Sequence, residues 1–551
     1  NPFPQPPMSP TTIAVSLVLL STLFTPSHAL STDPSFISIL ISQTGLNFVK
    51  DLLITKAVSS FTPLHLPPIV KNVKIPVAGK VHVVLSNITI YKIDVPSSYV
   101  KPGDNGVTIV AAGTTCNLSM NWHYSYSSAW LVPVKISDSG RASVQNWELH
   151  QLDVNASFLH GNLEEEVDIK ILQVGGDLTT GTAALLGLWM MVVEGMEIGL
   201  TLGLENQEGA LNLCLLECGC HVKDISIKLD GGASWLYQGV VDAFERQIGS
   251  AVENAIVKKL GEGVSKLGSL LQSLPKEISV DDIASLNVTF VGDPLLGDTS
   301  IGFEINGLFT ENKKDAVSVY YPENSQPSIC SSDPSKMLGI LLDEAVFNSA
   351  SAFYFNAEFM QWIVNKVPEQ SLLNTAGWRF IVPQLYKKYP NADMDLNISL
   401  SAPPLIRISE QNIDVIVYAD LVIDVLDNDD AIPVVCISLV IRASGSVKIS
   451  GNNLAGSVKL DDFSMQLKWS KIGNLHMYLI QPVIWTMVET VFLPYANSRL
   501  GKGFPLPIIR GFTLQNAEII CSNSRITVCC DVTFVESYNL VQPLASLHPW
   551  T

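Results

Sequence analysis

Apolar positions along the chain fall into two copies of one plan. Between Thr44 and Phe61, Leu46, Val49, Leu52, Leu53 and Val58 recur at three- and four-residue steps, the spacing of a helix with one apolar face. Alternation of period two follows in Val81–Leu85, and again in Met196, Ile198, Leu200, Leu202 and Leu204, which predicts half-buried strands. A stripe through Leu236, Val240, Phe244, Ile248, Val252, Ile256, Leu260, Val264, Leu267, Leu271 and Leu274 predicts one helix from Trp235 to Leu274. At 1.5 Å per residue it would be about 60 Å long, and Gly239, Gly249, Gly261, Gly263 and Gly268 allow it to bend. Leu274-Pro275 stops it. The plan then repeats. A helical stretch runs from Asp343 to about Val364, and Pro-bounded strands run from about Leu396 to Trp469. A second long helix spans Leu475 to about Leu500, with Pro482 and Pro494 set to kink or interrupt it. Residues 275–335, rich in Asp, Asn, Ser and Pro, form the connector. A curved sheet wrapped round a long helix buries one stripe and one sheet face in each half. The expected fold class is therefore α+β, two elongated modules in tandem.

Composition narrows the function. The 551 residues carry a net charge of −18, with 16% charged and 47% hydrophobic residues, too apolar for a disordered chain. A nucleic-acid binder would need a surplus of Lys and Arg to match phosphates, so no nucleic-acid partner is expected. No uncharged apolar run reaches the roughly 18 residues of a spanning helix, which excludes a multi-pass membrane protein.

The start of the chain predicts export. From Met8, an apolar segment from Ile13 to Phe24 leads to Thr25-Pro26 and Ser27-His28-Ala29, a secretory signal with cleavage after Ala29, although its basic leader is missing. Residues 1–29 are thus expected to be a pre-region and signal peptide, and the protein to be secreted and extracellular. In an oxidising compartment the nine cysteines become disulfide candidates, and the odd number leaves one thiol free or paired between chains. Cys521 and Cys529 flank a turn-like stretch, Ser522-Asn-Ser-Arg525, suited to a cross-hairpin bridge. Cys214, Cys218, Cys220 and His221 lack the paired spacing of a zinc site, so no metal is expected. Asn87, Asn117, Asn155, Asn287 and Asn397 open glycosylation sequons.

Several phrases resemble one family. Ile41-Ser-Gln-Thr-Gly-Leu-Asn-Phe48, Ser86-Asn-Ile-Thr-Ile90, Val95-Pro-Ser-Ser98 and Glu194-Gly-Met-Glu-Ile198 mark the first half. Met337-Leu-Gly339, Glu344-Ala-Val-Phe-Asn-Ser349, Pro383-Gln-Leu-Tyr-Lys-Lys-Tyr-Pro390 and Lys502-Gly-Phe-Pro-Leu-Pro507 mark the second. In order and spacing they resemble the bactericidal/permeability-increasing and lipopolysaccharide-binding protein family. Cys116-Asn-Leu-Ser-Met-Asn-Trp-His-Tyr-Ser-Tyr126 and Gly231-Gly-Ala-Ser-Trp-Leu-Tyr237 are most similar to its plant branch. The resemblance implies two tubular lipid-binding barrels, at 33–274 and 336–540, joined through a linker and central sheet at 275–335. It further implies a secreted protein that binds lipopolysaccharide, phospholipid or another acyl-chain lipid in apolar pockets, meets membrane surfaces, serves antimicrobial defence, and has no cofactor or enzyme activity. The alternative is a lipid-transfer or carrier protein without a microbial ligand. Acyl slots are what the resemblance implies; the stripes alone favour a solid core.

Two departures from the family pattern stand out. Family members join a strand of the first barrel to its long helix by a disulfide, but Trp235–Leu274 contains no cysteine. The resemblance therefore sends the bridge from Cys218 or Cys220 elsewhere, with Cys116 as a candidate. The loop Trp122–Val134, where animal endotoxin binders place Lys and Arg, holds Trp122, His123, Tyr124, Tyr126 and Trp130 and no permanently charged residue. Such rings prefer a membrane interface, making Trp122, Tyr124, Tyr126 and Trp130 candidate lipid contacts. The same rings could instead pack inside a hairpin.

Residues 146–193 differ in kind. Trp147-Glu-Leu-His-Gln-Leu-Asp-Val-Asn155 through Val167 resembles a reverse-transcriptase segment of copia-type retroelements, in which the position of Asp153 binds metal. One carboxylate cannot build a two-metal site. Excising the block rejoins Gln145 to Glu194, so it is expected to be foreign and to protrude from the first barrel. No G-x-S-x-G elbow, H-E-x-x-H or phosphate-binding glycine loop occurs, so catalysis is not expected.

Overall fold

The computed structural model describes residues 34–75, 79–103, 106–127, 135–142, 189–229, 234–311, 335–366, 370–427 and 430–535. At its centre lies an antiparallel six-stranded sheet, in the order Leu295–Leu296, Ser300–Ile305, Ile37–Ser42, Leu338–Asp343, Arg525–Phe534, Phe512–Ser522. Ile37 stands opposite Ile305 on one side and Leu342 on the other, and all three are buried with Ile340 and Val528. The sequence reading confined this sheet to 275–335. That connector supplies only two of its six strands, one of them two residues long. The ends of both halves supply the rest, because only their longer apolar strands can cover each other across the middle of the molecule.

The first half opens with helix α1 (Gln43–Phe61). Ser42 caps it, accepting from the Gly45 N–H at 3.3 Å while its own hydroxyl donates to the Lys336 carbonyl at 2.6 Å. Gly45 backs directly onto the Met337 carbonyl, where a Cβ has no room. The Thr44-Gly-Leu phrase thus seats α1 on the central sheet. A nine-stranded sheet follows, in which Asp224–Leu229, Trp189–Gln207, Gly106–Ser127, Gly79–Asp94 and Leu64–His65 run in that order. Helix α2 (Ser234–Gln272) lies along it unbroken. Of the glycines expected to permit bends, Gly268 permits a close approach: a Cβ there would stand 2.9 Å from the Leu213 carbonyl oxygen.

The second half repeats this with helix α3 (Glu344–Asn356), capped by Asp343. The helix is shorter than expected, since Gln361–Val364 is an edge strand: Trp362 and Val364 pack inward while Gln361 and Ile363 are exposed, a period of two. A seven-stranded sheet orders Gln361–Val364, Met394–Leu400, Ile413–Asp427, Asp430–Ser450, Asn453–Ser470 and Phe504–Pro505, with Leu405–Ile408 beside Ile413–Asp427. Helix α4 (Pro383–Lys388) is a short turn at one end of it. The second long helix is α5 (Met477–Met487), a π-turn at Val488–Phe492, and α6 (Leu493–Leu500). Pro494 neither breaks nor sharply ends it, because the wider turn just before accommodates the missing N–H. This run is long and apolar enough to cross a membrane by length and composition alone, yet Ile480, Ile484, Met487 and Val488 are buried in the barrel core. Gly503 has φ +67°, and a Cβ there would stand 2.6 Å from the Leu454 carbonyl oxygen. That turn delivers Phe504 against Phe309 and Phe347, at centroid distances of 6.0 and 5.9 Å, which accounts for the Lys502-Gly-Phe-Pro phrase.

The inserted block needs a correction at its end. Trp189–Val193, assigned to it, are the first rungs of the strand Trp189–Gln207. They pair with Ile225–Leu229 on one side, and Met191–Val193 pair with Leu118–Cys116 on the other. Val193 is fully buried. Without these five residues two neighbouring strands would lose their hydrogen-bond partners. The rest of the block that follows, 146–188, lies outside the described residues.

Candidate functional site

Among the described residues, the interior of the first barrel divides into separate apolar clusters. One joins Val83, Leu85, Leu118 and Met120 of the sheet to Phe244, Ile248, Val252 and Ile256 of α2, and to Phe61 at the end of α1. A second joins Leu46, at the start of α1, to Val100, Val107 and Ile301. A third joins Leu202 and Leu213 to Val264 near the end of α2. Val49, Leu52 and Leu53, the middle of the same α1 stripe, are only half-buried and belong to none of them.

The helix is nonetheless held firmly. Lys50, 7% exposed, donates to the Ser98 carbonyl at 3.1 Å and pairs with Asp51 at 2.9 Å. Gln43 donates to the Val100 carbonyl at 3.0 Å. Phe48 meets Phe512 edge-on at 6.5 Å, and the Lys56 ammonium lies 5.8 Å from the centre of the Phe534 ring. So α1 is fixed at its start, its end and its flanks, while the centre of its apolar stripe is half-buried and, among the described residues, joins none of the apolar clusters. Half-wetted Leu and Val side chains on a rigid support favour an apolar chain laid against them, at about 0.8 kcal/mol per methylene removed from water. The second barrel differs: one continuous cluster runs from Trp378 and Leu385 through Leu396, Leu421 and Ile437 to Ile484 and Val488.

The cysteines do not pair as expected. Cys116, Cys218 and Cys220 are free thiols. Burial pushes Cys116 and Cys220 up to about 12, with Cys220 adding to the effect on Cys116, and with Glu253 and Cys218 adding to that on Cys220. Burial also raises Cys218. Cys529 is disulfide-bonded, but Cys521 is a free thiol, so the Cys521–Cys529 bridge does not form. The two-residue turn Asn523-Ser524 pairs Ser522 with Arg525, setting Cys521 opposite Ile526 and Cys529 opposite Glu518. Among the described residues no group of three His, Cys, Asp or Glu is placed to hold a metal ion.

Trp122, Tyr124 and Tyr126 lie on the strand Gly106–Ser127, in register with Leu85, Val83 and Val81. Along that strand they continue the alternation of Leu118 and Met120, both buried. Their side chains, and all of Trp130, lie outside the described residues. Of the sequons, Asn87 is exposed at a bulge with φ 52°, Asn117 and Asn397 are half-buried on strands, and Asn155 lies outside the described residues. The Asn287 side-chain oxygen accepts from the Thr289 N–H at 3.0 Å and from its hydroxyl at 2.7 Å. Sequence reasoning named Val49, Leu52 and Leu53 as core positions. The stripe was visible, but which part of it stays unpacked depends on where the barrel walls run.

Comparison with known proteins places this geometry. Residues 45–273 match the model of the N-terminal domain of the LBP/BPI/CETP family, and residues 278–534 match its C-terminal domain. A BPI/LBP family protein of Arabidopsis thaliana is 58% identical over 521 residues, 95% of this chain and 97% of that one. The lipopolysaccharide-binding protein of Bos taurus is 23% identical over 76% of this chain and 90% of its own. The bactericidal permeability-increasing protein of Sebastes schlegelii is 24% identical over 92% and 96%. The crystal structure of a lipopolysaccharide binding protein superposes with a TM-score of 0.61 at 18% identity, covering 92% of this chain and all of that one, which establishes the tubular fold. With both domain models matched in order along the chain, it belongs to the LBP/BPI/CETP family.

Proposed function

We propose that the protein is a secreted, non-catalytic lipid binder that lays the acyl chains of lipopolysaccharide or a related amphipathic lipid against the middle of α1, in the service of antimicrobial defence. The supporting observation is the unpacked stripe Val49, Leu52 and Leu53 between separate apolar clusters. The names of the bovine and fish relatives support lipopolysaccharide as a ligand class. A charged head group stays near solvent at the slot mouth, which avoids burying an unpaired charge. Trp122, Tyr124, Tyr126 and Trp130 are the candidate interface contacts in this reading, since aromatic rings enter an interface without cationic help. Export and glycosylation at Asn87 are part of this reading.

The test is extraction of the purified protein with organic solvent, followed by mass spectrometry, for the natural chain and for Leu53→Trp. Acyl lipid is expected in the first and strongly reduced in the second, with melting temperature unchanged. Lipid-free natural protein together with a destabilised Leu53→Trp would mean a solid core. Capture of dispersed lipopolysaccharide is expected to depend weakly on salt and to fall in Trp122→Ala plus Trp130→Ala; a steep salt dependence would move capture to basic residues. Transfer of phospholipid between vesicles, without preference for lipopolysaccharide, would favour a carrier role.

A further inference from the structure

The strands Gln361–Val364, Ile413–Asp427 and Asn453–Ser470 all run toward the same end of the second barrel's sheet, since each is antiparallel to the strand between it and the next. The segments 370–393 and 471–476 therefore gather at that end. There Phe380 is 77% exposed and Tyr478 69% exposed. Phe380 does not hang from a loose loop. Two residues before it Trp378 is 1% exposed, its indole donates to the Leu372 carbonyl at 2.9 Å, and its own carbonyl accepts from the Val382 N–H at 2.7 Å. Water-facing aromatic rings on so well bonded a turn are held out by the fold itself.

Cations surround these rings. The Arg379 guanidinium lies 4.5 Å from the centre of Phe380, Lys388 lies 5.4 Å from Tyr389, and Lys471 lies 5.6 Å from Trp469. Lys388 donates to the Lys471 carbonyl at 3.2 Å, fixing the two segments side by side, and Lys387 is exposed beside it. We propose that this end of the second barrel docks on anionic phospholipid bilayers, with Phe380 and Tyr478 entering the interface and Arg379, Lys387, Lys388 and Lys471 meeting lipid phosphates. The net charge of −18 does not oppose this, because a surface feels only the charges within about 8 Å at physiological salt. Asp393, Asp395, Asp424, Asp427 and Asp430 share this end of the sheet, Asp424 near Lys471, so the rings must supply much of the attraction. The docking surface is separate from the α1 slot and does not depend on its being loaded.

Sedimentation with vesicles tests it, using the full chain and vesicles of phosphatidylcholine alone or mixed with phosphatidylglycerol. Binding is expected to favour the anionic vesicles and to weaken with salt. Lys387→Glu plus Lys388→Glu should reduce anionic binding about tenfold or more. Phe380→Ala plus Tyr478→Ala should reduce binding to both compositions, and neither variant should change the lipid extracted from the protein or its melting temperature. Equal binding to the two compositions, full binding by either variant, or complete competition by inorganic phosphate would overturn the proposal. Natural protein that carries no extractable lipid yet docks on anionic vesicles would instead count against the α1 reading alone.

Discussion

The two barrels share one plan and use their apolar residues differently. In the second, the Met477–Met487 helix and the inner face of the sheet feed one cluster, and Leu396, Val425, Ile437 and Ile480 have almost no exposure. In the first, a longer helix is flanked by smaller clusters, and helix α1 leaves its central stripe half-buried. The difference lies in how the helix meets the wall. Gly268 lets α2 lie tight against the Leu213 carbonyl of its own sheet, and the cluster that α2 shares with α1 takes in Ala57, Val58 and Phe61 but not Val49, Leu52 or Leu53. In the second barrel Trp485 and Trp362 tie the long helix to its sheet, packing with Phe463 and Tyr495 at centroid distances of 5.7 Å each. Repetition of a fold therefore does not carry repetition of its packing.

The sharpest way to break this comparison is to truncate equivalent residues. Leu421→Ala or Ile437→Ala in the second barrel is expected to cost about 2–5 kcal/mol, because each leaves a cavity in a closed core. Leu53→Ala in the first is expected to cost less than about 1 kcal/mol. Similar losses in thermal melts would mean that both interiors are equally packed. Next come the glycines that seat each half. Gly45→Ala drives a methyl into the Met337 carbonyl and Gly503→Ala into that of Leu454, and each should cost about 1–3 kcal/mol or more; full stability in either would show that the backbone yields there.

Smaller effects sharpen the contrast. The Tyr354 hydroxyl of α3 donates to Asp281 at 2.6 Å, and burial, with help from that carboxylate, raises the phenol above its usual range. Tyr354→Phe should cost about 1 kcal/mol in melting experiments. In the second barrel burial raises the Asp424 carboxyl, with Asp395 reinforcing the shift and Lys471 opposing it. Because the folded value lies above the unfolded one, stability from this group is present below about pH 4 and is lost as pH rises through the folded value. Asp424→Asn should thus raise the melting temperature by roughly 1–2 °C at neutral pH and give no gain below about pH 4. A gain that persists in acid would assign the effect to packing. Last, Cys116 and Cys220 should resist alkylation at neutral pH in the folded chain, and rapid labelling would show that the first barrel opens more readily than its packing implies.

Much of this architecture was legible in the residues. The stripes of α1, α2 and the 477–500 helix appear almost to the residue, because a helix buried along one side must repeat every three or four positions. The Gln361–Val364 strand was hidden because Trp362 and Val364 also fit a helical count continuing from Phe353 and Tyr354. The hairpin disulfide failed for a different reason: the turn is only Asn523-Ser524, so Cys521 faces Ile526, three residues short of Cys529, and the polar stretch between the cysteines does not show where the turn closes. Trp189–Val193 looked foreign because the apolar run before Glu194 matches no family phrase, although its pairing is ordinary strand chemistry. That Val49, Leu52 and Leu53 stay half-buried lay beyond sequence altogether, since a half-buried residue and a fully packed one carry the same side chain.

The central sheet also governs the order in which the molecule can be made. Its strand Ile37–Ser42 is made long before its two neighbours, which come from residues 300–305 and 338–343. The sheet is completed only when 512–534 have been made. Until residues 300–305 emerge, then, a nascent chain carries an apolar strand with both edges unpaired, a template for sticking to other chains. A fragment cut at the boundary between the two family domains, ending near residue 273, would keep that strand and lose both of its partners. The barrels are separable as descriptions, but as polypeptides each is unfinished without the other.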